Sequence, residues 1–173
     1  MNYAPKGKIN RVVEPGAFNV GVTALDHGHI NGMTNGLIEA GATIKYVYDP
    51  DAEKVANYLE SFPDVTVAES LEQILEDPEI QLVAAAAVPN LRSALGNRVM
   101  RAGEDYFTDK TGFTTLEQLE ETKKVVAETG KKYWVYFSER LHVEGAVFAG
   151  QLIEDGRIGR GIQVTGFGPH RLD

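Results

Sequence analysis

The chain has 173 residues, of which 43% are hydrophobic and 24% charged, with a formal net charge of -8 and no cysteine. This composition is that of a soluble globular protein with one full core and room for the start of a second domain. The net negative charge argues against nucleic acid and anionic membranes as partners, and the missing cysteines exclude disulfides and thiolate chemistry. Its longest apolar run, residues 82–88, is too short to cross a bilayer, so we expect a cytoplasmic protein.

The chain is organised around residues 18–49, where a strand, a tight loop, a helix and a second strand are predicted in succession. The helix is indicated by apolar residues at helical spacing, and Gly41 stands where a helix ends in a left-handed residue. The second strand is rich in β-branched and aromatic residues and leads directly into Asp49. Strand, loop, helix, strand and acid form the plan of a dinucleotide-binding unit, in which the helix offers free N–H groups to a pyrophosphate.

Strands and helices continue to alternate as far as residue 137. Two capping boxes, at residues 70–73 and 115–118, open helices, and Asp77-Pro78 ends the first of these. The apolar run at 82–88 is typical of a strand covered on both faces of a parallel sheet. The pattern predicts an α/β fold, a doubly wound parallel Rossmann sheet, with strands at 18–24, 43–48, 65–67, 82–88, 105–108 and 132–137.

Three segments are expected along the chain. Residues 1–17 are interpreted as an N-terminal extension, either lying over the domain or poorly ordered, and residues 18–137 as the dinucleotide-binding Rossmann domain. A boundary is placed near Ser138, because the pattern then changes to a helix at 143–155 and a seventh strand at 162–167. Residues 138–173 are too few for a domain and are interpreted as the beginning of an incomplete second α+β domain.

The loop after the first strand is the candidate pyrophosphate site, although it departs from the usual glycine pattern. A G-x-G-x-x-G fingerprint would put glycines at Ala24, Asp26 and His29, and only Gly28 is a glycine nearby. Ala24 still allows a tight turn, whereas the carboxylate of Asp26 would repel a pyrophosphate unless it turns away. Histidines here are candidate phosphate donors; with no third ligand nearby in the sequence they are weak evidence for a metal, and no metal site is expected. The candidate cofactor-binding residues of the loop are Ala24, Leu25, Asp26, His27, Gly28, His29 and Ile30.

Asp49 has two interpretations. It is a candidate cap of the next helix, with Pro50 at the first helical position. It also follows the second strand at an offset of 25 residues from Ala24, which suits an acid that binds ribose hydroxyls. A carboxylate there favours NAD(H) over NADP(H).

Four segments together resemble the Gfo/Idh/MocA family, the glucose–fructose oxidoreductase and inositol dehydrogenase family. They are residues 28–49, 84–90, 106–111 and 154–159, and their order and spacing carry the resemblance. It implies an N-terminal Rossmann domain, a C-terminal domain on an open sheet, and hydride transfer between NAD(P) and a sugar, polyol or related carbonyl compound.

The resemblance also implies site residues. The family usually has Glu-Lys-Pro after the fifth strand, and here the segment is Asp109-Lys110-Thr111. Lys110 is then the candidate catalytic residue that hydrogen-bonds the substrate oxygen, with Asp109 orienting it; a surface lysine at a strand end is the alternative. By the same resemblance, Val88, Pro89 and Asn90 would lie along the ribose and nicotinamide, and the candidate substrate contacts are Arg140, His142 and His170.

Two functions are carried forward. The first is an NAD-dependent oxidoreductase acting on a small sugar or polyol; the second is a non-catalytic nucleotide-binding or assembly module on the same scaffold. The alternating residues 162–167 predict a half-buried strand with no following partner strand, and an unpaired edge invites association. We therefore expect a homo-oligomer.

Overall fold

The computed structural model describes residues 11–138 and 143–166. The chain divides into two compact units, one over Gly7–Tyr136 and a second that includes Phe137–Asp173, and each is described by itself.

The first unit is built on a six-stranded sheet in the order β3-β2-β1-β4-β5-β6. Every pair of neighbouring strands is parallel. The order reverses between β1 and β4, which is the switch point of a doubly wound Rossmann sheet, so the predicted fold class is confirmed. The strands are β1 (Asn19–Thr23), β2 (Thr43–Tyr48), β3 (Thr66–Val67), β4 (Ile80–Ala85), β5 (Asp105–Asp109) and β6 (Tyr133–Tyr136).

Helices connect the strands, and their caps follow the sequence signals. Ser70 and Thr115 each accept a hydrogen bond from the backbone N–H three residues later, as the capping boxes predicted. Gly103 and Gly130 end helices with positive φ angles of 125° and 69°. The helices are α1 (His29–Glu39), α2 (Ala52–Ser61), α3 (Leu71–Leu75), α4 (Arg92–Ala102) and α5 (Leu116–Thr129), with a 3-10 turn at Pro89–Leu91.

The core lies on both faces of the sheet. Along β4, Leu82 and Ala84 belong to one apolar cluster, while Val83 and Ala85 belong to the other. A strand covered on both faces gains nothing from polar residues at alternate positions, which explains the continuous apolar run. This strand ends at Ala85, three residues earlier than predicted. The N–H of Ala86 still donates to the carbonyl of Ala24 beside it, but the N–H of Val88 donates to the Asp26 side chain and a 3-10 turn begins at Pro89.

Residues 11–17 lie against the corner between α1 and β2. The N–H of Val12 donates to the carbonyl of Ala40 at 2.9 Å, and the N–H of Gly16 donates to the Thr43 hydroxyl at 3.1 Å. Gly41 has a φ of 103°, and a Cβ there would lie 2.2 Å from the Val13 carbonyl. Gly41 is therefore required twice, by its backbone conformation and by the close approach of the extension.

The second unit contains helix α6 (Glu144–Glu154), close to its predicted position, followed by a turn with Gly156 at a φ of 67°. The strand predicted at 162–167 is wrong for its described part, since residues 162–166 are not in a strand. A strand needs a neighbouring strand to pair with its N–H and C=O groups, and no strand among the described residues pairs with this segment. Arg140, His142 and His170, the predicted substrate contacts, lie outside the described residues.

Candidate functional site

The predicted site residues of the first unit meet at the carboxyl ends of β1, β2, β4 and β5. In a parallel sheet these ends share one edge, and the crevice at the switch point is where ligands bind. Two cavities open there, one of about 580 Å³ on the β2 side and one of about 220 Å³ on the β5 side. Asp26 and Ala87 line both of them.

The turn after β1 is as tight as a glycine fingerprint requires. Ala24 has a φ of 52°, the only positive φ among the described non-glycine residues. Its carbonyl accepts from the N–H of Ala86, which ties the β1 loop to the end of β4. Alanine therefore takes the left-handed conformation usually given to the first glycine, as the sequence analysis allowed.

The N-terminus of α1 differs from expectation, because its N–H groups are already engaged. The N–H of His29 donates to His27 Nδ1 at 3.2 Å, that of Ile30 to the His27 carbonyl, and that of Asn31 to the carbonyl of Gly28, the N-cap residue. The prediction of free donors for a pyrophosphate is therefore wrong for these three groups. The Ile30 side chain is 3% exposed and packs in the core.

Asp49 is buried and ties two loops together. Its carboxylate accepts from the N–H of Leu25 at 2.8 Å and from that of Asp51 at 2.9 Å. The cap interpretation is wrong, since α2 is capped by Asp51, whose side chain accepts from the N–H of Glu53. Asp49 also lines the 580 Å³ cavity, and each carboxylate oxygen has a second lone pair for a ligand hydroxyl.

Asp26 is held by an ion pair that the sequence analysis missed. Lys54 Nζ, on α2, lies 2.5 Å from Asp26 Oδ1, and the N–H of Val88 donates to Asp26 Oδ2 at 3.3 Å. The hydrogen bond to Asp26 raises the pKa of Lys54. The negative charge that seemed opposed to a pyrophosphate is thus paired with an ammonium group.

Asp109 anchors the other side of the crevice. It is 1% exposed, and its carboxylate accepts from His29 Nδ1 at 2.9 Å and from the guanidinium of Arg92 at 3.3 Å. Arg92, 2% exposed, also donates to the carbonyls of Ala87, Asp109 and Thr111. Sequence reasoning missed Arg92; its only signal was a cation in the first turn after β4.

The structure supplies the third group that the histidine pair lacked in the sequence. Ligand-type atoms of His27, His29 and Asp109 lie within 4.8 Å of one another. Two contacts compete with a metal ion here: Arg92 already neutralises Asp109, and His27 Nδ1 accepts from the His29 backbone. We therefore assign this cluster as a hydrogen-bonded junction between the β1 loop and β5.

Lys110 follows β5 directly and is half-buried. It lines the 220 Å³ cavity together with Val88, Pro89 and His27. The Lys110–Thr111 peptide bond is cis, and Arg92 donates to the Thr111 carbonyl. Arg92 thus bonds the backbone on both sides of Lys110, at the carbonyls of Asp109 and Thr111. Asn90 lies in the 3-10 turn, where its carbonyl accepts from the Gln118 amide.

The larger cavity has the chemistry of a nucleoside site. Acids stand at the β2 end, where ribose hydroxyls bind in this fold, and apolar side chains from α3 and α4 cover a surface suited to an adenine ring. These apolar residues, missed by the sequence analysis, are Leu71, Leu91, Ala94 and Leu95. Together with the 220 Å³ cavity beyond Asp26, the residues present fit a dinucleotide.

The fold and the crevice together define the class of domain. The first unit is a Rossmann domain of the dinucleotide-binding type. The family follows from comparison of sequences. Residues 20–137 match the GFO_IDH_MocA family, described as an oxidoreductase family with an NAD-binding Rossmann fold. The chain belongs to this family, which confirms the resemblance seen in the four sequence segments.

Known proteins agree with this placement. A structure from Erwinia carotovora atroseptica SCRI1043, whose name assigns it only to the oxidoreductases, is 43% identical, with a TM-score of 0.80 over 83% of this chain and 43% of its own. GenD2 from gentamicin A biosynthesis, solved in complex with NAD, shares the fold at 17% identity, with a TM-score of 0.71 over 89% of this chain and 42% of its own.

Among curated proteins, D-xylose dehydrogenase of Paenarthrobacter nicotinovorans is 28% identical over 96 residues, which are 56% of this chain and 24% of that protein. The chain thus spans less than half the length of each of these relatives. Within the described residues, no helix combines the length and apolar character needed to cross a bilayer.

Proposed function

We propose that this chain supplies the cofactor-binding half of an NAD(H)-dependent oxidoreductase that acts on a sugar, a polyol or a related carbonyl compound. One observation carries the proposal: Lys110 lines a cavity that adjoins, across Asp26, a larger cavity with nucleoside chemistry. A cation next to a dinucleotide crevice is suited to handling a substrate oxygen. D-xylose dehydrogenase, 28% identical over 96 residues, supports a sugar-like substrate.

The chain's own residues divide the work. The nicotinamide, when bound, accepts or supplies a hydride. Lys110 holds the substrate oxygen by a hydrogen bond from Nζ and exchanges a proton with it. Asp109, clamped by Arg92 and His29, fixes the end of β5 and so the position of Lys110. Ala24 and Asp49 shape the turn and the ribose side of the crevice.

The cofactor we propose is NAD(H) rather than NADP(H). Asp49 lines the larger cavity, where its carboxylate accepts hydrogen bonds from ribose hydroxyls and repels a 2′-phosphate. We expect NADH to bind more tightly than NADPH in parallel titrations. Tighter binding of NADPH would show that Asp49 does not bind the ribose hydroxyls.

Turnover tests the catalytic part. The chain, and any longer form of the protein, is offered NAD⁺ with a panel of sugars and polyols while NADH absorbance is followed. We expect Lys110→Met to abolish turnover and to leave NADH affinity intact, since the ammonium acts on the substrate. Lys123→Met is the matched control, because Lys123 is exposed on α5 and pairs with Glu120. Equal turnover by the two variants would contradict the proposal.

The second candidate is a non-catalytic nucleotide-binding module. The engaged N–H groups at the start of α1 favour it, because they leave the loop fewer donors for a pyrophosphate. The two candidates separate in the same assay. Cofactor binding without oxidation of any substrate, by any longer form, selects the module.

We also propose that residues 138–173 begin a second domain used for substrate binding and oligomerisation. The second compact unit includes Phe137–Asp173, and the chain covers 43% of the Erwinia protein. The exposed apolar residues of this unit support a role in association between copies of the chain.

A further inference from the structure

Lys54 stands at a junction of the crevice. Its side chain lines the 580 Å³ cavity and also a hollow of about 190 Å³ that Gly28 and Asn31 line at the start of α1. Asp26, its ion-pair partner, lines both the larger and the smaller cavity of the crevice. The pair therefore lies where the two halves of a dinucleotide must be joined.

Three of the N–H groups in the loop beside Lys54 are not free for an anion. The N–H groups of His29, Ile30 and Asn31 donate within the loop itself. A Rossmann domain normally meets the pyrophosphate with such N–H groups, brought close by glycines. Here glycine is absent from positions 24, 26 and 29, and a carboxylate has been added. With these three N–H groups engaged and a carboxylate added, a further donor that carries positive charge would strengthen the binding of two negative phosphates.

We propose that the ammonium group of Lys54 is the pyrophosphate-binding group of this chain, held in place by Asp26. The inference deepens the proposed function, because it rests on a dinucleotide occupying the crevice. An ammonium has three donors, so Lys54 can keep its bond to Asp26 and still donate to a phosphate oxygen. The side chain is 36% exposed, which leaves it open to a ligand.

The charge of the pair gives the direction of each effect. With both residues present, the pyrophosphate meets a net charge of zero; without Lys54 it meets the lone Asp26 carboxylate, and without Asp26 it meets a free ammonium. Removing Lys54 must weaken binding of the phosphates, and removing the Asp26 charge must strengthen it. Adenosine carries no phosphate charge, so neither change in charge acts on it in this way.

The test is a set of binding titrations on the full chain, with NADH and with adenosine, which lacks phosphates. We expect Lys54→Met to weaken NADH at least about tenfold, the loss of one charge-assisted hydrogen bond, and to leave adenosine affinity unchanged. Lys54→Arg should restore most of the NADH affinity, and Asp26→Asn should raise it. Urea unfolding of each variant checks that the fold is intact.

Lys45→Met is the matched control. Lys45 also pairs with acids, Asp77 and Glu79, but it lies near the amino ends of the strands, away from the crevice. It should leave both ligands unaffected. Unchanged NADH affinity in Lys54→Met, or an equal loss for adenosine, would overturn the inference while the proposed function stands. If the unaltered chain binds neither NADH nor NADPH, the proposed function fails and the inference fails with it.

Discussion

At the scale of single residues, the crevice is held open by buried charges that accept or donate several hydrogen bonds each. Arg92 alone bonds three backbone carbonyls and the Asp109 carboxylate, all of them around the end of β5. Buried charge is tolerated only when it is paired and fully hydrogen-bonded. The same contacts that satisfy Arg92 fix the backbone that leads to Lys110.

Replacing Arg92 should therefore be costly. Arg92→Met leaves the buried Asp109 without its cation and three carbonyls without a donor, and we expect a loss of about 3–5 kcal/mol in the free energy of unfolding. Arg101→Met is the control, because the Arg101–Glu121 pair is exposed and such pairs contribute about 0–1 kcal/mol. Urea denaturation measures both. Similar losses for the two variants would mean that the buried cluster is not what stabilises β5.

Asp49 gives a second residue-level prediction. In Asp49→Asn the amide oxygen can still accept from one of the two N–H groups, those of Leu25 and Asp51. The NH₂ group of the asparagine would face the second N–H, so a buried donor is left without an acceptor. We expect a loss of about 1–3 kcal/mol in unfolding free energy. Asp51→Asn should cost little, because asparagine is as good an N-cap as aspartate. Equal stability of both variants would contradict a structural role for the Asp49 carboxylate.

Residue spacing pointed to Asp49, which directly follows a predicted strand, and the family resemblance pointed to Lys110; both side chains line the crevice. Neither signal located Lys54 or Arg92. Their partners Asp26 and Asp109 are 28 and 17 residues away, and only the folded packing of α2 and α4 brings them together. The engaged N–H groups of α1 were missed for a different, local reason: the His27 ring and the carbonyls of His27 and Gly28 turn back to accept them.

At the scale of elements, α4 is fitted to the sheet through Gly96. A Cβ at this position would lie 2.5 Å from ring atoms of both Tyr106 and Tyr133. Glycine costs a helix up to about 1 kcal/mol relative to alanine, so its presence here is explained by the close approach of the two rings.

This packing predicts opposite effects for the same substitution at two helical positions. Gly96→Ala should destabilise the protein by about 1–3 kcal/mol through overpacking. Gly36→Ala, in α1, has no atom within 4 Å of the added Cβ and should stabilise by about 0.5–1 kcal/mol. Thermal or urea unfolding of the two variants measures both changes in the free energy of unfolding. A gain in stability for Gly96→Ala would show that α4 packs less closely on β5 and β6.

Elements were predictable where local chemistry decides them. The capping boxes at Ser70 and Thr115 and the glycine stop at Gly41 depend on neighbouring residues alone, and all three were located correctly. The end of β4 was not, because it depends on the β1 loop: the N–H of Val88 donates to the side chain of Asp26, 62 residues earlier. Residues 162–166 alternate as a strand should, yet pairing requires a partner strand that local sequence does not provide.

At the scale of the whole molecule, the second unit carries exposed apolar residues. Ile162 and Val164 are 89% and 85% exposed, and Phe148 on α6 is 56% exposed. Apolar surface of this kind favours association with another chain.

We therefore expect the 173-residue chain to self-associate in light-scattering measurements. We expect a lower assembly mass for the double variant Ile162→Ser with Val164→Ser. We expect the same for a chain that ends at Asp155. Leu116→Ser is the control, because Leu116 is also exposed, at 75%, but lies in the first unit at the start of α5. A monomeric unaltered chain would rule out association through this segment.

The central claim is that the crevice between β1 and β4 binds a dinucleotide, and calorimetric titration of the unaltered chain with NADH tests it most directly. We expect saturable binding of one NADH per chain, weakened by Lys54→Met and stronger than the binding of NADPH. Absence of saturable heat with either cofactor, confirmed by unchanged NADH fluorescence, would contradict it.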